Sequence, residues 1–400
     1  MADAIFLIIG FMLLLGFAGS LFFKITKIPE ILFLIIGGIL IGPVFHIVDQ
    51  SLVIVYAPFI TALMLIVIML DNGLSFNIFK VTRSLPKTSI LSIGVMALTA
   101  SAITIVLNIF FSFSLLTAAI IGLILSGTTT DIVTTLVSRM NLSKRNKQLV
   151  IFESVINDLQ IIPFFILLHY AETSMINTAS TINALFMQIP LTIVIAAAVA
   201  ILWIKVIDRF LGSHPLDYIA TLAILFVLYD VAQIIGGNGA IAVLVFSLIL
   251  GNALNILHKK RGLKNKFTFR VLSQLKEIEI DTSFFVKTIF FVFLGIIFSF
   301  DLLRLDYIIM SLVVIAAILI CRYIAIKIFC HSERSYSSSK GPFVWILPRG
   351  YVALVLAFAA VSSGIFSEEL LSIVLLNIFL TTFIAIGYTF YHERRYKNKK

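Results

Sequence analysis

The chain has 400 residues, of which 60% are hydrophobic and 12% are charged, and its formal net charge is +10. A soluble globular domain carries about 25% charged residues, so this composition excludes that class and indicates a polytopic membrane protein. The positive charges fall mostly in short loops between apolar runs. They are therefore topology signals, and they do not indicate a nucleic-acid partner.

Apolar runs of bilayer length recur along the whole chain and predict about 13 transmembrane helices in one membrane domain, residues 1–400. In chain order the predicted spans are residues 4–23, 30–45, 52–70, 88–111, 115–138, 148–169, 183–204, 217–235, 239–257, 282–300, 307–329, 342–364 and 369–390. With the N-terminus outside and the C-terminus in the cytoplasm, all but four of the 30 basic residues fall on the cytoplasmic side. The exceptions are Arg304, Lys287, Arg322 and Arg349. This bias supports the count, because a wrong count would scatter the charges.

Thirteen spans divide into six, a linker and six, and an odd linker inverts the second six relative to the first. The predicted fold is therefore all-α, with two inverted six-helix repeats and a linker helix, as in many secondary transporters. No convincing internal sequence identity is present, so the pairing follows from topology alone. Under it span 5 corresponds to span 12, and span 6 to span 13.

Span 6 carries polar side chains in the middle of an apolar helix. Ser154, Asn157 and Asp158 share one face, and Glu153 lies one turn from Asn157. An ionisable side chain at the bilayer centre is costly and usually faces a protein interior or a water-filled path, where it serves function. Asp158 is the candidate functional carboxylate. The alternative is a protonated or paired acid that joins helices.

Span 5 contains the run Gly127–Asp131, which is a poor helix centre. Threonine is stiff at χ1, and the hydroxyls of Thr128, Thr129 and Thr130 compete for backbone groups. We expect a broken helix, whose freed carbonyls can coordinate a small cation. Asp131 would then lie near the N-terminus of the second half-helix, in an electrostatic role. The alternative is a continuous helix with threonines bonded back to carbonyls.

Span 12, the inverted partner of span 5, has Pro348 and Gly350 on either side of Arg349. We expect this helix to be interrupted as well, and two broken helices at corresponding positions indicate a site near the bilayer midplane. The alternative is a proline kink with Arg349 reaching toward the membrane interface.

Arg322 lies well inside span 11 and needs a buried carboxylate, for which Glu153 is the candidate. That pair would leave Asp158 as the carboxylate that exchanges its proton. Asp71 lies at the end of span 3, and Lys287 lies in span 10. Lys287 is either a second proton carrier or a paired structural lysine, and we favour the structural role.

Five ordered stretches together resemble the monovalent cation/proton antiporter superfamily, in its archaeal and bacterial sodium/proton exchanger branch. They are ESVINDLQ in span 6, TTTD in span 5, DNGL after span 3, FFVFLG in span 10 and WILPRG in span 12. The resemblance implies the sodium/proton antiporter fold, with discontinuous crossing helices. It also implies an ion-transport bundle of spans 4–6 and 11–13 (about residues 88–169 and 307–390). Spans 1–3 and 7–10 (about residues 4–70 and 183–300) would form the scaffold and dimerisation part.

The resemblance also implies roles for individual residues. Asp158 would bind cation and proton in alternation, and Glu153 would pair with Arg322. The implied ion-binding residues are Asp158, Ser154, Asn157, Asp71, Thr129 and Thr130; of these, Asp158, Ser154, Asp71 and Thr129 would be Na⁺ ligands. Three positions depart from the family pattern: Asp71 stands where a glutamate is usual, Ile132 where proline is frequent, and Lys287 where related animal exchangers tend to have an acid.

The expected activity is exchange of Na⁺, with Li⁺ and K⁺ as alternatives, for H⁺ by alternating access. No cofactor is expected, since no phosphate-binding glycine loop is present. By resemblance, one carboxylate beside Asn157 favours electroneutral exchange, and the expected setting is a homodimer in the bilayer of the cell (inner or plasma) membrane. The competing class is a passive cation channel, which would not need broken helices in inverted pairs. The sequence supports a membrane enzyme less well than either transport class, because zinc-protease, nucleophile-elbow and DDxxD motifs are missing.

Overall fold

The computed structural model describes residues 2–26, 28, 30–48, 50–76, 86–173, 187–210, 217–253, 266–298, 304–332, 340–362 and 368–397. Within these ranges the chain forms α-helices, with π-helical backbone at residues 40–44 and 187–188, and no strand. The helices are α1 (Ala2–Thr26), α2 (Glu30–Ile39), α3 (Gln50–Ser75), α4 (Pro86–Phe111), α5 (Leu115–Ile124), α6 (Thr130–Arg139), α7 (Lys144–Thr173), α8 (Ile189–Phe210), α9 (Asp217–Ile234), α10 (Gly239–Gly251), α11 (Lys266–Ile297), α12 (Leu305–Ser332), α13 (Lys340–Trp345), α14 (Tyr351–Ser362) and α15 (Glu368–Lys397).

Apolar helices account for every predicted span. Seven stretches of the described chain are long and apolar enough to cross a membrane: Pro58–Ser75, Thr88–Phe111, Lys144–Phe165, Ile189–Ile207, Leu275–Ile297, Leu305–His331 and Ile373–Arg395. Six further apolar helices are shorter: Gly10–Thr26, Glu30–Val44, Leu115–Ile124, Tyr218–Ile234, Gly239–Gly251 and Tyr351–Val361. Many large apolar side chains on these helices are exposed, as expected of surfaces that face hydrocarbon.

Two predicted spans are interrupted at the predicted places. Span 5 consists of α5 and α6 joined by residues 125–129, and span 12 consists of α13 and α14 joined by residues 346–350. The alternative of a continuous helix through the threonine run is therefore wrong. Span 2 changes form at its end, where α2 runs into the π-helical turn Leu40–Val44, because Pro43 has no N–H to donate within a helix.

Some helices are longer than the apolar runs that predicted them. α11 begins at Lys266, inside the basic stretch that the sequence analysis treated as a loop, and α15 continues to Lys397. Hydropathy marks only the part of a helix that crosses hydrocarbon. A polar sequence of good helix formers continues the same helix in water without a change in backbone.

The chain divides into two compact units. The first comprises Met1–Thr26, Phe33–Ser84 and Ser174–Ile297. In it α3 packs against α10 and α11, α10 also packs against α8 and α9, and α1 packs against α11. Gly38 of α2 and Gly295 of α11 allow two backbones to touch, since a Cβ on Gly38 would lie 2.8 Å from the Gly295 Cα. Small residues commonly permit such close helix packing in membranes.

The second unit comprises Lys27–Leu32, Leu85–Thr173 and Phe298–Lys400, and it contains both broken spans. α4 packs against α5, α7 and α12, and α7 also packs against α5 and α6. A buried apolar cluster holds the half-helices α6 and α13 against α4, α7 and α12; it consists of Leu91, Val95, Val133, Val137, Met140, Leu149, Val150, Ile326, Cys330, Phe343, Val344 and Ile346. This packing fixes the short half-helices that flank the two breaks.

The close contact between Gly350 and Thr129, which lie in the two breaks, predicts that adding one methyl group at Gly350 destabilises the protein. Gly350→Ala should destabilise the protein by about 1–3 kcal/mol, because the new Cβ would overlap the Thr129 side chain. Gly94→Ala in α4 is the matched control, since nothing lies within 4 Å of its new Cβ. The control should be neutral or stabilising by up to about 1 kcal/mol. Thermal unfolding in detergent measures both, and equal unfolding temperatures would contradict the crossing geometry.

Candidate ion-binding site

The two breaks contact each other through their backbones. Thr129 is extended (φ −89°, ψ 136°), and its N–H donates to the carbonyl of Pro348 at 3.1 Å. A helix break inside a membrane frees backbone groups that have no water to bond. Each break therefore satisfies part of the polar backbone that the other exposes.

Asp158 projects from α7 to the start of α6. Its Oδ2 accepts hydrogen bonds from the Thr130 hydroxyl at 2.6 Å and from the Thr130 backbone N–H at 3.2 Å. Asp158 is 1% exposed. Because Thr130 is the first residue of α6, the carboxylate lies at the positive end of a helix dipole, which is a common position for anions.

Asn157 joins α7 to α4 and to the break in span 5. Its Oδ1 accepts a hydrogen bond from the Ser92 hydroxyl at 2.7 Å, and its Nδ2 donates to the Thr128 hydroxyl oxygen at 3.1 Å. Ser92 and Asn157 are fully buried. The family resemblance implies that Asn157 binds the ion, whereas in the structure both ends of its amide are engaged by protein groups.

Two further hydroxyl oxygens are candidate ligands: that of Ser154, which is close to Asp158 in the sequence, and that of Thr129, which lies in the break of span 5. Ser154 lies one turn before Asp158 on α7, is fully buried, and donates its hydroxyl to the Ile151 carbonyl at 2.8 Å. That bond uses the hydroxyl hydrogen and leaves acceptor capacity on the oxygen. The Thr129 hydroxyl oxygen is also buried, and it has no hydrogen-bond partner within the described chain.

Glu153 and Arg322, which the sequence analysis paired, form a bidentate ion pair. Arg322 Nη1 lies 2.7 Å from Glu153 Oε1, and Nη2 lies 3.0 Å from Oε2. Arg322 Nε donates to the carbonyl of Phe343 in α13 at 2.8 Å. Glu153 and Arg322 are each 1% exposed, so both charges are compensated inside the protein.

Arg349 is buried in the break of span 12. Its backbone N–H donates to the Thr381 hydroxyl at 3.1 Å, and the residue is 1% exposed. The alternative in which Arg349 reaches the surface is therefore wrong. Its Nε and Nη1 have no hydrogen-bond partner in the part of the chain that the structure describes. Asp131 is the second residue of α6, as expected, but its side chain lies outside the described residues.

The remaining two predicted residues lie in the first unit and pair with each other. Lys287 Nζ of α11 lies 3.2 Å from Oδ2 of Asp71, which lies near the C-terminal end of α3. The side chains are 17% and 26% exposed, respectively. This contact agrees with the paired-lysine reading of Lys287. It also means that Asp71, predicted as a Na⁺ ligand, has an ammonium group as a neighbour.

Sequence reasoning missed three groups that support the site: the Ser92 hydroxyl, the Thr381 hydroxyl and the Phe343 carbonyl. The available signal for Ser92 and Thr381 was a hydroxyl residue inside an apolar span. Such a hydroxyl often bonds to its own helix, as Ser247 does to the Val243 carbonyl at 2.7 Å. Sequence alone does not distinguish that case from a contact between helices.

Comparison with protein families matches residues 9–390 to the family described as sodium/hydrogen exchanger, transmembrane. The chain belongs to the sodium/hydrogen exchanger family. The resemblance stated from the sequence motifs is therefore confirmed, and this is a family of transporters. No curated protein sequence matches the exchanger significantly.

Solved structures of one protein share the fold of this exchanger. The structure of the sodium proton antiporter MjNhaP1 from Methanocaldococcus jannaschii at pH 8 is 19% identical, with a TM-score of 0.77 and 98% of each chain covered. An electron-microscopy structure of MjNhaP1 is also 19% identical, with a TM-score of 0.74 and coverage of 97% of this chain and 95% of that one. The predicted fold class, an all-α antiporter fold with discontinuous helices, is confirmed.

The buried ion pair of this exchanger leads to a stability prediction. Glu153→Gln or Arg322→Met should each cost about 3–5 kcal/mol, because each leaves a buried charge without its partner. The double variant should lose less than the sum of the singles. Arg139→Met is the matched control, since the Arg139–Glu393 pair in the same unit is 24% and 23% exposed. The control should cost less than about 1 kcal/mol.

Thermal unfolding in detergent decides this prediction. It is contradicted if the buried single variants unfold at the same temperature as Arg139→Met.

Proposed function

We propose that this exchanger binds Na⁺ and H⁺ in alternation at Asp158 and carries them in opposite directions. The observation that supports the proposal is a buried carboxylate held by Thr130 at the N-terminus of a broken helix. A carboxylate holds either a proton or a hard cation, and each expels the other. Hydroxyl and carbonyl oxygens freed by a helix break are the ligands that such a cation prefers.

The proposed cation shell combines the Asp158 carboxylate with hydroxyls of Ser154, Thr129 and Thr130. Thr130 donates its hydroxyl hydrogen to Asp158 at 2.6 Å. When a cation arrives, rotation of that hydroxyl presents its oxygen to the ion, so the same group serves both states. Asp71 binds Na⁺ in our proposal only if it exchanges its contact with Lys287 for one with the ion.

We propose electroneutral exchange of one proton per cation, and the buried charges described in the second unit support it. Glu153 is fully neutralised by Arg322, and Asn157 is uncharged and engaged by protein groups. Of the two buried carboxylates that the structure describes in this unit, Asp158 is thus the one available to exchange its proton for an ion. If two carboxylates titrated together, a second proton could be carried with each turnover.

We further propose that the second unit, with both broken spans, is the ion-transport bundle and that the first unit is the scaffold and dimerisation part. The bundle would present Asp158 to either side of the membrane in turn. The proposed orientation in the cell membrane, N-terminus outside and C-terminus cytoplasmic, rests on the distribution of basic loops. Homodimer formation is proposed from family membership alone.

Transport in sealed liposomes tests the role of Asp158. The wild type should dissipate an imposed pH gradient when Na⁺ is added, without generating a membrane potential, and Asp158→Asn should not. Arg139→Met serves as a control for reconstitution, since that pair is partly exposed. Transport that survives Asp158→Asn contradicts the site. Cation flow without proton movement indicates a channel.

Competition also fixes the sign of the pH dependence. Lowering the pH should raise the apparent KM for Na⁺, because protons then occupy the carboxylate that Na⁺ needs, while saturating Na⁺ restores the rate. The same assay with Li⁺ and K⁺ ranks the ions. A KM that does not change with pH would contradict competition at one site.

Lys287 gives a separate test of the proposed role of Asp71. If Asp71 binds the transported cation, Lys287→Met should lower the KM for Na⁺ several-fold, because the lysine ammonium no longer competes for the carboxylate 3.2 Å away. The effect should disappear in an Asp71→Asn background. An unchanged KM in Lys287→Met would leave the pair a purely structural one.

A further inference from the structure

A chain of buried hydrogen bonds connects α4 to the break in span 5. Ser92 of α4 donates to Asn157 of α7 at 2.7 Å, and Asn157 donates to Thr128 at 3.1 Å. Ser92 and Asn157 are 0% exposed, and Thr128 is 2% exposed. Three separate elements of the second unit are thus joined by side chains that are out of contact with solvent.

The Ser92 hydroxyl has a different partner from most intrahelical serines. Ser247 in α10 donates to the carbonyl four residues earlier, at 2.7 Å, which is the local solution for a hydroxyl in an apolar helix. Ser92 instead donates to another helix, and its oxygen also lies 3.5 Å from the Glu153 carbonyl oxygen. A bond of this kind constrains two helices relative to each other, whereas the Ser247 bond constrains only one.

The hydrogen bonds that link Ser92, Asn157 and Thr128 are separate from the Thr130–Asp158 contact, which must change when a cation binds. Thr130 donates to Asp158 and has to reorient when a cation replaces the proton. Thr128, two residues earlier in the same segment, accepts a hydrogen bond from Asn157, which is neutral. One end of the segment is therefore anchored while the other end responds to the ion.

We propose that Ser92 is a positioning residue for cation binding, which acts through Asn157 and Thr128 to hold the oxygens of the span 5 break at distances that suit Na⁺. This inference rests on the proposed function. Discrimination among monovalent cations requires ligand oxygens that keep a defined spacing. Loss of the Ser92 hydroxyl should loosen that spacing without removing any ligand.

Ser92→Ala in liposomes tests the proposal by kinetics and selectivity. We expect a five- to tenfold rise in the KM for Na⁺, on the order of one buried hydrogen bond, with the maximum rate within about twofold of wild type. The ratio of Na⁺ to K⁺ transport should fall as well. Ser92→Thr keeps the hydroxyl and should restore the wild-type KM.

Ser247→Ala is the matched control, since it removes a fully buried serine hydroxyl whose hydrogen bond, among the residues described, stays within its own helix. It should leave KM and selectivity unchanged. If Ser92→Ala behaves like this control, the proposal is overturned. If Ser92→Ala folds poorly, Ser92→Cys, which keeps a weak donor, takes its place with a smaller expected shift in the same direction.

Coupling to Thr128 distinguishes positioning from general loosening. In a Thr128→Val background the chain is already broken, so Ser92→Ala should add less than a twofold further change in KM. Additive effects would show that Ser92 acts independently of the break and would overturn the proposal. A wild type without Na⁺/H⁺ exchange would instead refute the proposed function, so the two failures are distinguishable.

Discussion

The hydrogen bond from the Thr129 N–H to the Pro348 carbonyl joins the two broken spans, and the rest of the site depends on it. Inside hydrocarbon each freed backbone group needs a protein partner, so a broken helix is stable only where other elements supply one. Arg322 bonds the Phe343 carbonyl of α13, and the Arg349 N–H bonds a threonine of α15. The site can therefore form only where α7, α12 and α15 meet the two breaks.

The buried charges of the second unit differ in how firmly they are held. The Glu153 carboxylate has a bidentate guanidinium partner, and removal of either charge would leave the other exposed to a low dielectric. The Asp158 carboxylate accepts hydrogen bonds from a hydroxyl and a backbone N–H of Thr130. A neutral hydroxyl can reorient at little cost. A reorientable hydroxyl beside Asp158 supports the proposal that this carboxylate exchanges its proton for a cation.

Local signals made part of this arrangement predictable. The threonine run and the Pro348–Gly350 stretch weaken a helix by themselves, so both breaks could be placed from sequence. Few ionisable residues lie deep in the spans, and each needs a partner, which identified Arg322 and Glu153. The Ser92 contact could not be predicted, because it depends on how α4 and α7 are rotated about their axes. The start of α11 at Lys266 was missed because hydropathy reports only the hydrocarbon-crossing part of a helix.

The amide side chain of Asn157 affects both the hydrogen bonding of the span 5 break and the number of ionisable groups near Asp158. Asn157 accepts from Ser92 and donates to Thr128, and an amide can do both at once without carrying charge. A carboxylate there would offer only acceptors, so Thr128 would have to turn its hydroxyl into the donor, and a second ionisable group would lie beside Asp158. The amide thus joins the break to α4 without placing a second ionisable group beside Asp158. The contacts of the break and the proposed one-for-one exchange consequently involve the same side chain.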